Sequence, residues 1–176
     1  VKSKNRRGLE LMYGDVASTL SQLIRTAFIA PDDAMLCVSD FSAIEARVLS
    51  WLAGEKWRMD VFANNGDIYC ASASSMFGVP VVKHGINGHL RQKGKVAELA
   101  LGYQGGPNAL ISMGALKMGL TEEELPDIVR RWRSSNPRIQ DFWYSVDGAA
   151  MSVMQNAQPV GLPHGIIFSR ECNLLY

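Results

Sequence analysis

The chain has 176 residues, 47% of them hydrophobic and 20% charged, with a formal net charge of +1. That composition excludes a disordered chain and suits one ordinary domain or two small lobes; the near-neutral total leaves a nucleic-acid partner to be judged from local charge clusters. Three widely spaced cysteines, Cys37, Cys70 and Cys172, lack metal-ligand spacing and argue against a disulfide framework, so a reducing, cytoplasmic setting is expected, with no signal peptide or membrane span and no obligate protein partner in view.

In chain order, residues 1–14 are basic and expected to be irregular. Asp15–Phe28 reads as a helix capped by Asp15, with Val16, Leu20, Leu23, Ile24 and Ala27 along its buried side. Pro31-Asp32-Asp33 is a turn. Ala34–Phe41 is a nearly unbroken apolar run whose length favours a buried strand. Ser42-Ala-Ile-Glu45 has the form of a capping box, and the helix after it is expected to bury Ile44, Val48, Trp51 and Leu52 and to end at Gly54. Trp57–Ala63 is a short helix, and Asp67–Phe77 another, capped by Asp67 and stopped by Gly78 and Pro80. A loose link over Val81–Asn87 follows.

The stretch His89–Gly106 stands apart. Wound as a helix, it sets Leu90, Gly94, Ala97 and Leu101 along one small apolar line. Arg91, Gln92, Lys95, Leu99 and Tyr103 fall along the opposite one. From Ile68 to Ala97 there is no acidic residue, while Lys83, His84, His89, Arg91, Lys93 and Lys95 fall inside that window. Like charges four apart and a mid-helix glycine both cost stability, so a helix built only to be stable would avoid them. Cations at that spacing suit successive phosphates of one ligand; the bland reading is a solvated face with Lys95 paired to Glu98. Beyond it, Tyr103–Pro107 reads as a flexible joint. Helices are expected over Asn108–Met118, over Thr121–Ser134 with a TEEE capping box, and over Pro137–Gln155, with strand and loop over Pro159–Tyr176. Trp132 and Trp143 read as core; Tyr69 could stack on a base. The fold class is therefore α+β, mostly helical with a short sheet.

Asp40, at the end of the expected strand, is either a turn or cap residue or a carboxylate placed to hold Mg²⁺ in a cleft. Glu45 by itself is a capping-box partner.

Taken together, Val38-Ser-Asp40-Phe-Ser-Ala-Ile-Glu45-Ala-Arg47-Val-Leu49 and Arg91-Gln-Lys-Gly-Lys95-Val-Ala-Glu-Leu99-Ala-Leu-Gly-Tyr103 resemble motifs A and B of family A DNA polymerases, particularly the phage or prophage branch. The segment Gly66–Pro80 and Trp132-Arg-Ser-Ser-Asn-Pro137 fit the same pattern, and the resemblance runs from about Leu20 to about Asn156. It implies a partial palm over residues 1–54, helical fingers over 55–135 and a return to the palm over 136–176. Asp40 and Lys95 are then the catalytic residues, and Asp40 with the Phe41 carbonyl the Mg²⁺ ligands. Arg91 and Lys95 are the triphosphate ligands, Glu45 the residue crowding the sugar 2′ position, and Tyr103 the aromatic beside the nascent base pair. Tyr69 stands where relatives often carry a phosphate-contacting His, and Leu99 where better-known members carry Phe or Tyr against the sugar. The implied partners are template-primer DNA and a deoxynucleoside triphosphate (dNTP), with two Mg²⁺ ions, in a bacterial or phage-infected cell.

The family's motif C supplies a second carboxylate within His-Asp-Glu, but none of His84, His89 and His164 precedes an Asp. The chain is thus expected to be an inactive piece of a longer polymerase, with Arg91 and Lys95 facing Asp40 across a cleft. A non-catalytic nucleotide or single-stranded nucleic-acid binding module is the alternative, and a helical interaction protein a further one.

Overall fold

The structure, a computed structural model, describes residues 6–172 and 174–176. The chain divides into two compact units, Val1–Phe41 and Ser42–Tyr176.

In the first unit, α1 (Arg6–Tyr13) replaces the irregular segment expected there: Arg, Leu, Glu and Met are good helix formers and outweigh the basic composition. The expected residues 1–5 lie outside the described ones. Asp15 caps α2 (Val16–Leu23) by accepting the Ala17 N–H at 3.0 Å, and a 3₁₀ turn continues it over Ile24–Ala27. The expected apolar side of this helix is not buried: Leu20, Leu23 and Ile24 are all exposed. The turn at Pro31 forms, closed by Ala34 N–H to the Pro31 carbonyl, with Asp33 at φ 65°. The buried strand over Ala34–Phe41 does not form. The segment is extended but unpaired, and Val38 is 92% exposed. An apolar run becomes a strand only when a neighbouring strand takes its backbone N–H and C=O groups, and none among the described residues does.

The second unit holds α3 (Ile44–Ala53), α4 (Lys56–Ala63), α5 (Ile68–Phe77), α6 (Leu90–Leu101), α7 (Pro107–Ser112), α8 (Leu125–Ser135) and α9 (Pro137–Asn156). Two antiparallel hairpins end it: β1 (Val160–Gly161) with β2 (Ile167–Phe168), and β3 (Arg170–Glu171) with β4 (Leu174–Leu175). The described residues are thus mostly helical with two small two-stranded sheets, both after α9. No described helix is long and apolar enough to cross a membrane.

Several local signals act as expected. Asp67 caps α5 by accepting from the N–H groups of Tyr69 and Cys70, and Gly54 and Gly78 close α3 and α5 in the left-handed region. The capping box at Ser42–Glu45 fails. Ala43 takes a left-handed conformation as N-cap, and the Ser42 carbonyl is used by Arg47 Nε at 2.9 Å. The α3 side chains Ile44, Val48 and Trp51 are likewise exposed rather than buried; Trp51 lies against His164 instead. The helix expected over Asn108–Met118 is broken at Gly114 (φ 88°) into α7 and a 3₁₀ turn. At Thr121–Glu124 the Glu124 carboxylate does reach back to the Thr121 N–H, but α8 proper starts only at Leu125.

One apolar core runs through α5, α6, α7, α8 and α9, with Trp132 and Trp143 stacked at its centre 6.0 Å apart. Threaded through it is a buried polar cluster. Arg58 of α4 is fully buried and ion-paired with Glu98 of α6. Glu98 also accepts from Ser72 of α5 and, at 2.9 Å, from Trp132 Nε1 of α8. Arg58 reaches on to Ser50 of α3 and to Asn136 at the start of α9. Glu98 is therefore not the partner of Lys95, as local spacing suggests. A buried ion pair keeps its place only when its remaining donors and acceptors are satisfied, and here they are supplied by four other elements.

The α5–α6 contact is the most extensive between two elements of the unit. Gly94 packs so tightly on α5 that a Cβ there would collide with the Tyr69 carbonyl. At the end of α6, Gly105 meets the Ala100 carbonyl in the same way, and its own carbonyl is held by Arg133. Close approach, rather than free rotation, is what requires glycine at 105.

Arg58→Ala should lower the unfolding free energy in urea by roughly 3–5 kcal/mol, the usual cost of orphaning a buried charge, whereas Arg58→Leu with Glu98→Leu together should lose less than either change alone predicts. Gly94→Ala should destabilise the chain in the same assay, although helix propensity alone would stabilise it by about 1 kcal/mol.

Candidate nucleotide-binding site

The cationic face of α6 is set by what the helix buries. Gly94, Ala97 and Leu101 pack inward, which turns Lys95, Leu99 and Tyr103 outward at successive turns. Arg91 and Glu98 lie about two turns apart on the boundary strip between the faces.

Four of the residues singled out in the sequence meet at one narrow cleft of about 20 Å³: Glu45 of α3, Tyr69 of α5, and Leu99 and Tyr103 at the end of α6. Past Tyr103 the cleft leads into a wider apolar groove of about 330 Å³ between α3 and α9, lined by Val48, Leu52, Phe142 and Val146. Tyr103 is 73% exposed at the junction of the two.

Arg91 sits at the other end of the face. Its Nε donates to the Asp67 carboxylate at 2.6 Å, and its guanidinium lies 5.2 Å from the Tyr69 ring centroid. Asp67 is thereby held twice, by the α5 N-terminus and by Arg91. Partial burial alone would raise its pKa, but the Arg91 hydrogen bond and charge, with the Cys70 and Tyr69 N–H groups, outweigh that and bring it below its ordinary value. Tyr69 moves the other way: burial and the carboxylates of Glu45 and Glu98 push its phenol up, so it is neutral and able to donate. Lys95, between Arg91 and Leu99, is half-buried and has no ion-pair partner among the described residues.

Asp40 and Phe41 belong to the first unit, whereas Arg91, Lys95, Leu99, Tyr103, Glu45 and Tyr69 belong to the second. Asp40 and Phe41 lie in the extended, exposed segment before α3. Among the described residues no three His, Cys, Asp or Glu side chains gather as a metal centre.

Sequence reasoning took Asp67 only as a helix cap and missed its hold on Arg91. It also missed the Arg58–Glu98 pair. A signal was present: Asp67 and Glu98 are the acids that bracket the acid-free window, and each is consumed by an arginine.

The second unit is mostly helical, and α6 with the turn after it carries Arg91, Lys95 and Tyr103 along one side. Residues 15–157 match DNA polymerase family A, and the chain belongs to that family. It is 54% identical over all 176 residues to the DNA polymerase of Bacillus phage SP02, and covers 27% of that protein. It is also similar to the thermostable DNA polymerase I of Thermus aquaticus, 31% identical over 71% of this chain and 14% of that protein. The same enzyme from Thermus thermophilus is 34% identical over matching shares. The chain thus spans about a quarter or less of the length of these relatives.

The lowered Asp67 pKa gives a pH test. A carboxylate depressed in the folded state stabilises it above the unfolded pKa of about 3.9, and that stabilisation is lost as pH falls through the lower folded value. Asp67→Asn should therefore flatten the acid limb of stability against pH below about 4 in urea melts, and leave the profile near neutrality parallel to that of the unaltered chain.

Proposed function

We propose that this chain supplies the nucleotide-facing part of a family A DNA polymerase, the whole of which extends a DNA primer on a template by nucleotidyl transfer from dNTPs. The observation that carries this reading is the order of side chains along α6. Arg91, Lys95, Leu99 and Tyr103 follow one another at four-residue steps, and Glu45 and Tyr69 stand across the cleft from the last two.

In this reading Arg91 and Lys95 hold triphosphate oxygens. The guanidinium acts as an oriented fork and the ammonium as a mobile point charge, and phosphoryl transfer depends chiefly on such positioning and neutralisation. Leu99 lies against the sugar, and Glu45 crowds its 2′ side and excludes a hydroxyl there. Tyr103, exposed at the mouth of the apolar groove, stands beside the nascent base pair and the template. Tyr69, kept neutral, donates from its phenol where a histidine is frequent in the family. In the same reading, residues 1–54 and 136–176 belong to the palm and 55–135 to the fingers.

The Asp40 carboxylate makes no hydrogen bond or ion pair among the described residues, so with the Phe41 carbonyl it offers open, hard oxygen donors of the kind Mg²⁺ takes. Mg²⁺ held there supplies Lewis-acid neutralisation of phosphate charge. A two-ion centre needs a further carboxylate, which the rest of the polymerase would contribute, so this chain alone does not polymerise.

The test is a titration of the 176-residue chain with a dNTP and Mg²⁺, read by tryptophan fluorescence. Arg91→Ala and Lys95→Ala should each weaken binding about tenfold or more, the worth of a charge-assisted phosphate contact. Unchanged binding in both variants overturns the phosphate-grip reading. A template-primer assay should show no extension by the chain alone, and detectable extension overturns that part of the proposal.

A further inference from the structure

A further cavity, of about 340 Å³, lies beside the Arg91 end of α6 and shares Ala43 and Tyr69 with the Leu99–Tyr103 cleft. Three cations from three elements border it: Arg47 of α3, Lys83 of the α5–α6 loop, and Arg91. Its one carboxylate is Asp67, so the formal excess is two positive charges. At about 30 Å³ per water the cavity has room for roughly ten waters, enough for a phosphate or two.

The three cations are not equally available. The Arg91 Nε is spent on Asp67. Arg47 is committed to the Ser42 carbonyl, with its guanidinium 4.5 Å from the Phe62 ring centroid. Lys83 is exposed and has no ion-pair partner among the described residues.

The loop that carries Lys83 is nevertheless well tied. The Val81 N–H donates to Ser74 Oγ, the Val82 N–H to the Ile86 carbonyl, and the Asn87 amide to the Pro80 carbonyl. Gly88 is needed there because a Cβ would press on the Val82 and Lys83 carbonyls. A fixed backbone thus presents one uncommitted ammonium to a positively charged cavity.

We propose that this cavity takes the outer phosphates of the bound nucleoside triphosphate and that Lys83 is a binding residue for them, making the site sensitive to phosphate-chain length. The proposal rests on the reading that Arg91 faces the triphosphate, and it adds a residue outside both motifs. Arg91 and Lys95 grip the chain along α6, and Lys83 meets its far end from the α5–α6 loop. Because Lys83 has no ion-pair partner among the described residues, removing its charge should not disturb folding.

The experiment compares dATP with dAMP, each with Mg²⁺, on the 176-residue chain and its Lys83→Ala, Lys83→Arg and Arg91→Ala variants. Lys83→Ala should weaken dATP binding about tenfold and leave dAMP binding unchanged, Lys83→Arg should restore most of the loss, and melting curves should coincide. If Lys83→Ala leaves the dATP-to-dAMP preference intact while Arg91→Ala weakens dATP binding, the Lys83 proposal is overturned and the phosphate-grip reading stands. If Arg91→Ala also has no effect, that reading falls and takes the proposal with it.

Discussion

The buried ion pair between Arg58 and Glu98 is the constraint on which the second unit depends. Removing two charges from water costs several kcal/mol each, and the cost is recovered only where geometry and additional hydrogen bonds are complete. Here completion requires Ser50 from α3, Ser72 from α5, Trp132 from α8 and Asn136 from the start of α9 to arrive together. An apolar core of the same helices would tolerate small slips of one past another. A network of fixed donors and acceptors does not, so it sets the rotation of α6 about its own axis and its height along α5.

That rotation determines what α6 presents. Burying Glu98 and Leu101 leaves Leu99 and Tyr103 at the cleft edge, and closing Gly94 onto the Tyr69 carbonyl brings Tyr69 beside Arg91. The acid-free window over residues 68–97 then has a physical meaning. The acids at its two ends, Asp67 and Glu98, are each bound to an arginine, one half-exposed and one fully buried. No carboxylate within the window competes for Lys83 or Lys95.

What the sequence made legible was local. Asp15, Asp67, Gly54 and Gly78 end helices through contacts within a few residues, and each does so in the structure. The inward line of Gly94, Ala97 and Leu101 could be read from periodicity because small residues on one stripe allow close packing. The failures have distant causes. Glu98 looks like the partner of Lys95 three residues earlier, but its actual partner is forty residues away in α4. Ala34–Phe41 has a strand's composition, and composition does not say whether another strand is there to pair with it. The capping box at Ser42–Glu45 has the right letters, yet Arg47 takes the Ser42 carbonyl and Ala43 turns left-handed.

The site follows the same division. Glu45, Tyr69, Leu99 and Tyr103 were named through the family resemblance of their motifs, and all four line one cleft. Spacing does not show which cations are already spent. Arg91, the most conspicuous cation of the stripe, is paired; Lys95 and Lys83 have no ion-pair partner among the described residues. A paired guanidinium is oriented but partly neutralised, so it fixes direction more than it adds attraction, while an unpaired ammonium on a flexible stem adds attraction with little direction. The face thus combines one oriented guanidinium, Arg91, with two ammonium groups, Lys83 and Lys95, that have no ion-pair partner among the described residues.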